Sequence, residues 1–203
     1  MRIFITGTDT NVGKTLVSAW LCLHFGFSYW KPIQSGSSES LDSDIIKSIG
    51  IFTYTEAYTL KAAASPHLAA RSENIKINLD NILENIPDCN RLLIEGAGGV
   101  MVPLNENDLI IDLITKLKAQ VIVVSRTTIG TINHTCLTIN ALRARKIPIL
   151  GVIMNGEPNL ENRMAIEKYS KTQVLHELPF LNLICRESLI ESKPSHKLMR
   201  VAN

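Results

Sequence analysis

Two glycines, a lysine and a hydroxyl residue stand in Gly7-Thr8-Asp9-Thr10-Asn11-Val12-Gly13-Lys14-Thr15 in the order that a phosphate-binding loop requires. Backbone N–H groups of such a loop converge on phosphate oxygens, and the helix that follows adds the positive end of its dipole. A triphosphate is therefore held without any surplus of basic residues. Lys14 would reach the β- and γ-phosphates, and the Thr15 hydroxyl would ligate Mg²⁺. The usual pattern has four residues between its glycines, whereas five separate Gly7 from Gly13 here, and Thr8 stands where the first glycine is expected. The strand pattern before the loop and the helix pattern after it favour this reading over a chance Gly-Lys-Thr turn.

Two further segments carry matching chemistry. Trp30-Lys31-Pro32-Ile33-Gln34-Ser35-Gly36 follows the second strand pattern. Ligands of open α/β sheets bind beyond the carboxyl ends of the strands, so Lys31 and Ser35 are expected close to the phosphate loop. Taken alone, Lys31 also reads as a surface lysine. Leu92-Leu93-Ile94-Glu95-Gly96-Ala97-Gly98-Gly99 is an apolar strand that ends in a carboxylate and a glycine-rich turn. Glu95 is thereby placed as a Walker B type Mg²⁺ anchor, the alternative being a solvated acid at a turn. Asp44 is a second metal candidate, or a helix-start carboxylate.

The elements that must position these groups alternate along the chain. Strand patterns cover Arg2 to Thr6, Ser28 to Pro32, Arg91 to Glu95, Gln120 to Ser125 and Pro148 to Asn155, with a weaker one at Gln173 to Leu178. Helix patterns cover Gly13 to Phe25, Asp42 to Ile49, Leu79 to Ile86, Asp108 to Lys118 with Asp108 as its N-cap, Thr131 to Arg145 and Leu160 to Lys171. Short, continuously apolar strands alternating with helices predict an α/β fold: a doubly wound, mostly parallel sheet with helices on both faces. Residues 1–203 read as a single domain. Ile51 to Asn78, with the weakest periodicity, is expected to be a partly helical excursion over the sheet edge.

Composition narrows the function classes. Twenty-one Lys and Arg against nineteen Asp and Glu leave a net charge of +2, too slight for an extended nucleic-acid or anionic-membrane surface. No uncharged run approaches the roughly 18 to 20 residues of a membrane span. Cys22, Cys89, Cys136 and Cys185 are far apart, as expected of free thiols in a reducing cytoplasm.

The phosphate loop, Lys31-Pro32-x-x-Ser35-Gly36, Ser65-Pro66-His67, Glu95-Gly96-Ala97-Gly98-Gly99 and Gly130-x-Ile132-Asn133-His134 together resemble the motifs of the dethiobiotin synthetase family, in the family order. The resemblance runs from residue 1 to about residue 181. It implies a P-loop fold and a ligase that converts 7,8-diaminononanoate, CO₂ and MgATP into dethiobiotin, ADP and phosphate. An amine takes up CO₂ as a carbamate, ATP phosphorylates the carbamate, and the second amine closes the ureido ring.

By this resemblance Lys31 and Lys14 are the catalytic lysines, and Thr10 and Ser35 contact the diamine or carbamate. Asn11, Val12, Gly13, Lys14, Thr15 and Leu16 hold ATP, together with Gly96, Ala97 and Gly98, while Thr15, Asp44 and Glu95 serve Mg²⁺. The turn Gly130-Thr131-Ile132-Asn133 is implied to receive the substrate carboxylate across a homodimer interface. Asn155 resembles the adenine contact, and Pro179-Phe180-Leu181 the base loop. The short tail beyond Leu181 does not align with the closing helix of the family, so poor discrimination between bases is expected. His67 and His134 are expected to make local hydrogen bonds and no acid–base contribution.

The alternative from another class is a nucleotide-switch ATPase of the partitioning type. Such proteins carry an extra lysine early in the phosphate loop, where this sequence has Asp9. The ligase domain of cobyrinate-type amidotransferases would need a fused glutaminase, for which 203 residues leave no room.

Overall fold

The computed structural model describes residues 1–38, 41–181 and 184–202. Its strands are β1 (Arg2–Gly7), β2 (Ser28–Trp30), β3 (Ile33–Ser35), β4 (Thr53–Tyr54), β5 (Tyr58–Leu60), β6 (Leu92–Gly99), β7 (Gln120–Arg126), β8 (Ile149–Asn155) and β9 (Val174–Leu178). Seven of them form one sheet in the order β4-β2-β6-β1-β7-β8-β9, parallel throughout, while β3 and β5 pair in parallel beside it. The helices are α1 (Lys14–Phe25), α2 (Asp42–Ser48), α3 (Pro66–Ser72), α4 (Leu79–Glu84), α5 (Ile110–Leu117), α6 (Thr131–Ala144), α7 (Leu160–Ser170), α8 (Arg186–Glu191) and α9 (His196–Ala202).

Strand pleating divides the apolar residues between two cores. Phe4, Trp30, Ile94, Val121 and Val123 face one side, under α3 to α7. Ile3, Ile5, Tyr29, Leu93, Ile122 and Val124 face the other, under α1, α2, α8 and α9. Because both faces are covered, the strands are continuously apolar, and all of Val121 to Val124 is fully buried. The doubly wound arrangement expected from the sequence is the one observed.

The local differences have identifiable causes. Gly96, Ala97, Gly98 and Gly99 do not leave the sheet after Glu95; they continue β6 as far as a Gly7–Gly99 pairing past a bulge. Asp108 is not the cap of α5, because Leu109 is still extended and bridged to Pro103. The Leu109 N–H is satisfied instead by Asp112 Oδ2 at 2.9 Å. The Ile51 to Asn78 stretch holds α3 but also two strands, of which β4 extends the main sheet through Tyr29–Thr53 and Trp30–Tyr54 and β5 pairs with β3. A two-residue strand has too little sequence to show a period; its partner makes it.

Helices α8 and α9 pack on the α1-side core. Leu189 of α8 and Leu198 and Ala202 of α9 are fully buried, and Trp20 Nε1 donates to Ser192 O at 2.7 Å. Trp20 and Trp30 are fully buried core residues.

Candidate active site

β1 is the centre of the sheet, and the strands that follow β6 lie on its other side, so the carboxyl end of β1 is a topological switch point. The phosphate loop lies there. Its two glycines are dictated by crowding: a Cβ on Gly7 would lie 2.6 Å from Asp9 O, and one on Gly13 would lie 2.1 Å from Asn155 Nδ2. Gly13 also has φ 94°, in the left-handed region, and is the cap residue from which α1 starts. Asn11 has φ 56°, which asparagine tolerates. The Lys14 ammonium is folded over the loop, donating to Asp9 O at 3.1 Å. Burial lowers the Lys14 pKa, Lys31 adds to the effect, and Glu95 opposes it.

The centre of the site is Glu95, 1% exposed. Its Oε1 accepts from Thr15 Oγ1 at 2.9 Å and from Lys31 Nζ at 3.3 Å, and its Oε2 accepts from the Tyr29 hydroxyl at 3.0 Å. Lys31 also donates to Asp42 Oδ2. Burial acts to lower the Lys31 pKa, but Glu95 and Asp42 outweigh it and hold the ammonium above its ordinary value. Lys31 is thus a fixed cation. Burial, reinforced by Glu95, pushes the Tyr29 phenol well above its usual range, so it remains a proton donor. Lys14, Thr15, Lys31 and Glu95, drawn from three sequence segments, therefore form one cluster.

Asp44 is not brought to that cluster. It stands on the solvent side of α2, 3.7 Å from Lys47, and the α2 carboxylate that reaches Lys31 is Asp42. Ser35 lies on β3, and its buried Oγ has no protein partner among the described residues. Gln34 ties this strand to α2, accepting at Oε1 from the Asp42 N–H at 3.3 Å and donating at Nε2 to Ser35 O at 2.8 Å. The donor set suits Mg²⁺. A hydroxyl and buried carboxylate oxygen are hard ligands, and this ion is ordinarily held by one or two carboxylates plus substrate phosphates. Among the described residues no three His, Cys, Asp or Glu side chains group as an all-protein metal cage.

The remaining expected residues form two flanking groups. Asn155 ends β8 beside the loop, donating from Nδ2 to Val12 O at 3.2 Å, while its Oδ1 is buried without a partner among the described residues. Leu16 is buried below, and Phe180 is exposed, its ring 3.4 Å from where a Cβ on Gly156 would lie. Pro179 is exposed with it, and Leu181 packs on the α1-side core. Gly96 and Ala97 continue β6, and a Cβ on Gly98 would lie 3.6 Å from Thr10 Oγ1. On the other flank, Gly130 (φ 89°) starts α6. The Thr131 hydroxyl is turned inward to Arg126 O at 2.5 Å, Ile132 is half-buried, and Asn133 is exposed. His67 Nδ1 and Ser65 Oγ are 3.1 Å apart, a local bond as expected.

Three residues of this region were not singled out by sequence reasoning: Tyr29, Asp42 and Arg126. Arg126 Nη2 donates to Thr10 O at 2.8 Å and lies 3.7 Å from the Asp9 carboxylate. Its position at the carboxyl end of β7 was the available signal. Tyr29 was legible through the strand period, which puts it on the same face as Lys31. Nothing in the sequence distinguishes Asp42 from Asp44.

A family model described as AAA domain matches residues 1–188. The chain is 49% identical over 193 residues to the ATP-dependent dethiobiotin synthetase BioD of Lawsonia intracellularis, covering 93% of each chain. It is 47% identical over 178 residues to the protein of that name from Paramagnetospirillum magneticum, covering 87% of this chain and 86% of the relative. Among solved structures it is similar to a ParA family ATPase from Chlorobium tepidum, with a TM-score of 0.59, 11% identity and coverage of 99% and 95% of the two chains. The cell-division ATPase MinD of Pyrococcus furiosus gives a TM-score of 0.56 at 15% identity, with coverage of 99% and 95%. These structural likenesses show a shared fold.

Proposed function

The chain belongs to the ATP-dependent dethiobiotin synthetase family, and from that premise we propose how its residues close the ureido ring of dethiobiotin from 7,8-diaminononanoate, CO₂ and ATP. One substrate amine adds to CO₂ to give a carbamate. A carbamate oxygen takes the γ-phosphoryl group, releasing ADP. The second amine then attacks the carbamoyl carbon, and phosphate leaves with the C–O bond.

Carbamate is a poor acyl donor, and transferring the phosphoryl group to it concentrates negative charge, so catalysis here is largely charge neutralisation and alignment. The loop N–H groups and Lys14 hold the β- and γ-phosphates. Lys31, kept charged by Glu95 and Asp42, stabilises the phosphoryl group from the substrate side. Ser35 Oγ, buried with no protein partner among the described residues, donates to the carbamate, and the exposed Thr10 of the phosphate loop contacts the diamine. Thr15, Glu95 and a carboxylate of the α2 first turn, Asp42 or Asp44, would hold Mg²⁺, which supplies additional positive charge on the β- and γ-phosphates when bound. Asn155 and the Pro179-Phe180-Leu181 loop accept the adenine. Its unpartnered Oδ1 suits the exocyclic amine.

We also infer a cytoplasmic homodimer. Ile129, in the turn before α6, and Asn133 and Leu137, one helical turn apart on α6, are all exposed, Leu137 by 60%. Such a face suits a second copy, with Gly130 to Asn133 offering α6 N–H groups to the partner's substrate carboxylate. Light scattering checks it: an active monomer at assay concentration would refute the shared site.

The observation that carries the reading is the convergence of Thr15 and Lys31 on one oxygen of Glu95 beside the phosphate loop. The test is ADP release with and without diaminononanoate and bicarbonate, with the product identified by mass. Dependence on both substrates is expected. ADP release indifferent to either would point to a free-standing ATPase.

A further inference from the structure

Tyr29 lies outside every motif above, yet it is fully buried and its hydroxyl meets a carboxylate, Glu95. Its place follows from register. β2 and β6 pair in parallel with Tyr29 opposite Leu93. Side chains two apart on a strand share a face, so Leu93 and Glu95 both point to the side of the sheet that Tyr29 occupies, and Trp30 points to the other. One strand repeat is about 6.6 Å, close to the reach of a phenol. The tyrosine thus extends from the level of Leu93 to the carboxylate beyond it.

An ionised carboxylate only accepts hydrogen bonds, and one lone oxygen left bare in a buried site is costly. Glu95 Oε1 receives Thr15 and Lys31, and Tyr29 is the side-chain donor to Oε2. The donor is neutral. It fixes the carboxylate plane without adding a second positive charge to the one that Lys31 already brings to Oε1.

We propose that Tyr29 is a positioning residue of the phosphoryl-transfer site: by holding Glu95 Oε2 it presents Oε1 to Thr15, Lys31 and the cation of a bound metal–nucleotide complex. The inference rests on the assignment of Glu95 to the metal made above. Removing a group that orients a metal ligand ordinarily weakens metal affinity 10- to 100-fold.

The test is calorimetric titration of ATP into wild type and Tyr29→Phe, with and without Mg²⁺, alongside kcat and the KM for Mg²⁺. Phe keeps the ring and removes the hydroxyl. Expected are metal-free ATP affinity within about twofold of wild type, a loss of magnesium-dependent tightening, and a KM for Mg²⁺ raised about tenfold or more. Glu95→Gln gives a second reading that leaves the tyrosine untouched: magnesium tightening should disappear, and adding Tyr29→Phe should change it less than twofold further. Wild-type magnesium tightening in Tyr29→Phe, or an undiminished effect of that substitution in the Glu95→Gln background, would overturn the proposal. Wild type that binds ATP equally with and without Mg²⁺ would overturn the metal assignment and this inference together.

Discussion

The Lys31 ammonium stands 3.3 Å from Glu95 Oε1, although the two residues are 64 positions apart, one just after β2 and the other within β6. Both are almost fully buried, so neither charge is tolerable without the other. This places a permanent cation and a hard anion side by side at the end of the central strands, one suited to a developing phosphate charge and the other to a metal.

Lys31→Gln should lower kcat about a hundredfold or more, the scale of removing one preorganised charge. ATP affinity should fall much less, because in the proposed arrangement Lys31 faces the phosphoryl group from the substrate side and Lys14 serves the nucleotide. Steady-state kinetics with saturating diamine and bicarbonate, paired with ATP titration, separate the two. A near-normal kcat would remove Lys31 from the mechanism.

Asn155 should set base preference through its unpartnered Oδ1, which accepts from an amine and repels a carbonyl. One such neutral hydrogen bond contributes on the order of 1 kcal/mol, about fivefold in affinity. ATP should therefore bind more tightly than GTP by roughly that factor, and Asn155→Ala should bring the two together. GTP is the internal control, since loss of the Nδ2 bond to Val12 O weakens both nucleotides alike. An ATP-to-GTP ratio unchanged by the substitution would exclude this contact.

The tail should be part of the folding unit. Leu198 is fully buried in the core that also holds Trp20 and Leu175. Leu198→Ala should cost about 2 to 5 kcal/mol, the ordinary range for a buried leucine. Urea unfolding measures it; a loss below about 0.5 kcal/mol would show that α9 is only loosely attached.

His176 should make stability fall in acid. Burial, opposed by Glu177 and assisted by His24 and Arg163, lowers its pKa from the ordinary 6.5. The unfolded chain then binds the proton more readily than the folded one. The stabilising contribution is fully present above about pH 6.5 and is lost as the pH falls through the folded value. The ring is stacked 4.6 Å from Trp20, so His176→Phe should keep the stack and flatten the dependence of the urea midpoint between about pH 7.5 and 5.5. An equally steep dependence in the variant would assign it to other groups.

The sequence by itself determined the sheet and the phosphate loop. Runs such as Val121 to Val124 have no polar face, so only a strand covered on both sides satisfies them, and Gly13-Lys14-Thr15 after such a strand leaves little choice of geometry. Lys31, Ser35 and Glu95 were legible as groups toward the carboxyl ends of strands by the same logic, although β6 runs on past Glu95 to Gly99. Tertiary structure decided what depends on distant partners. β4 exists because Tyr29 and Trp30 offer it an edge, and the tail forms two helices because Leu189 and Leu198 find the α1-side core. Asp42, rather than Asp44, meets Lys31 because of how α2 is seated. Tyr29 reached Glu95 through the register of two strands whose pairing no local pattern encodes. Local propensity and hydrophobic period act within a few residues; the choice among equivalent side chains is made by whatever the fold brings opposite them.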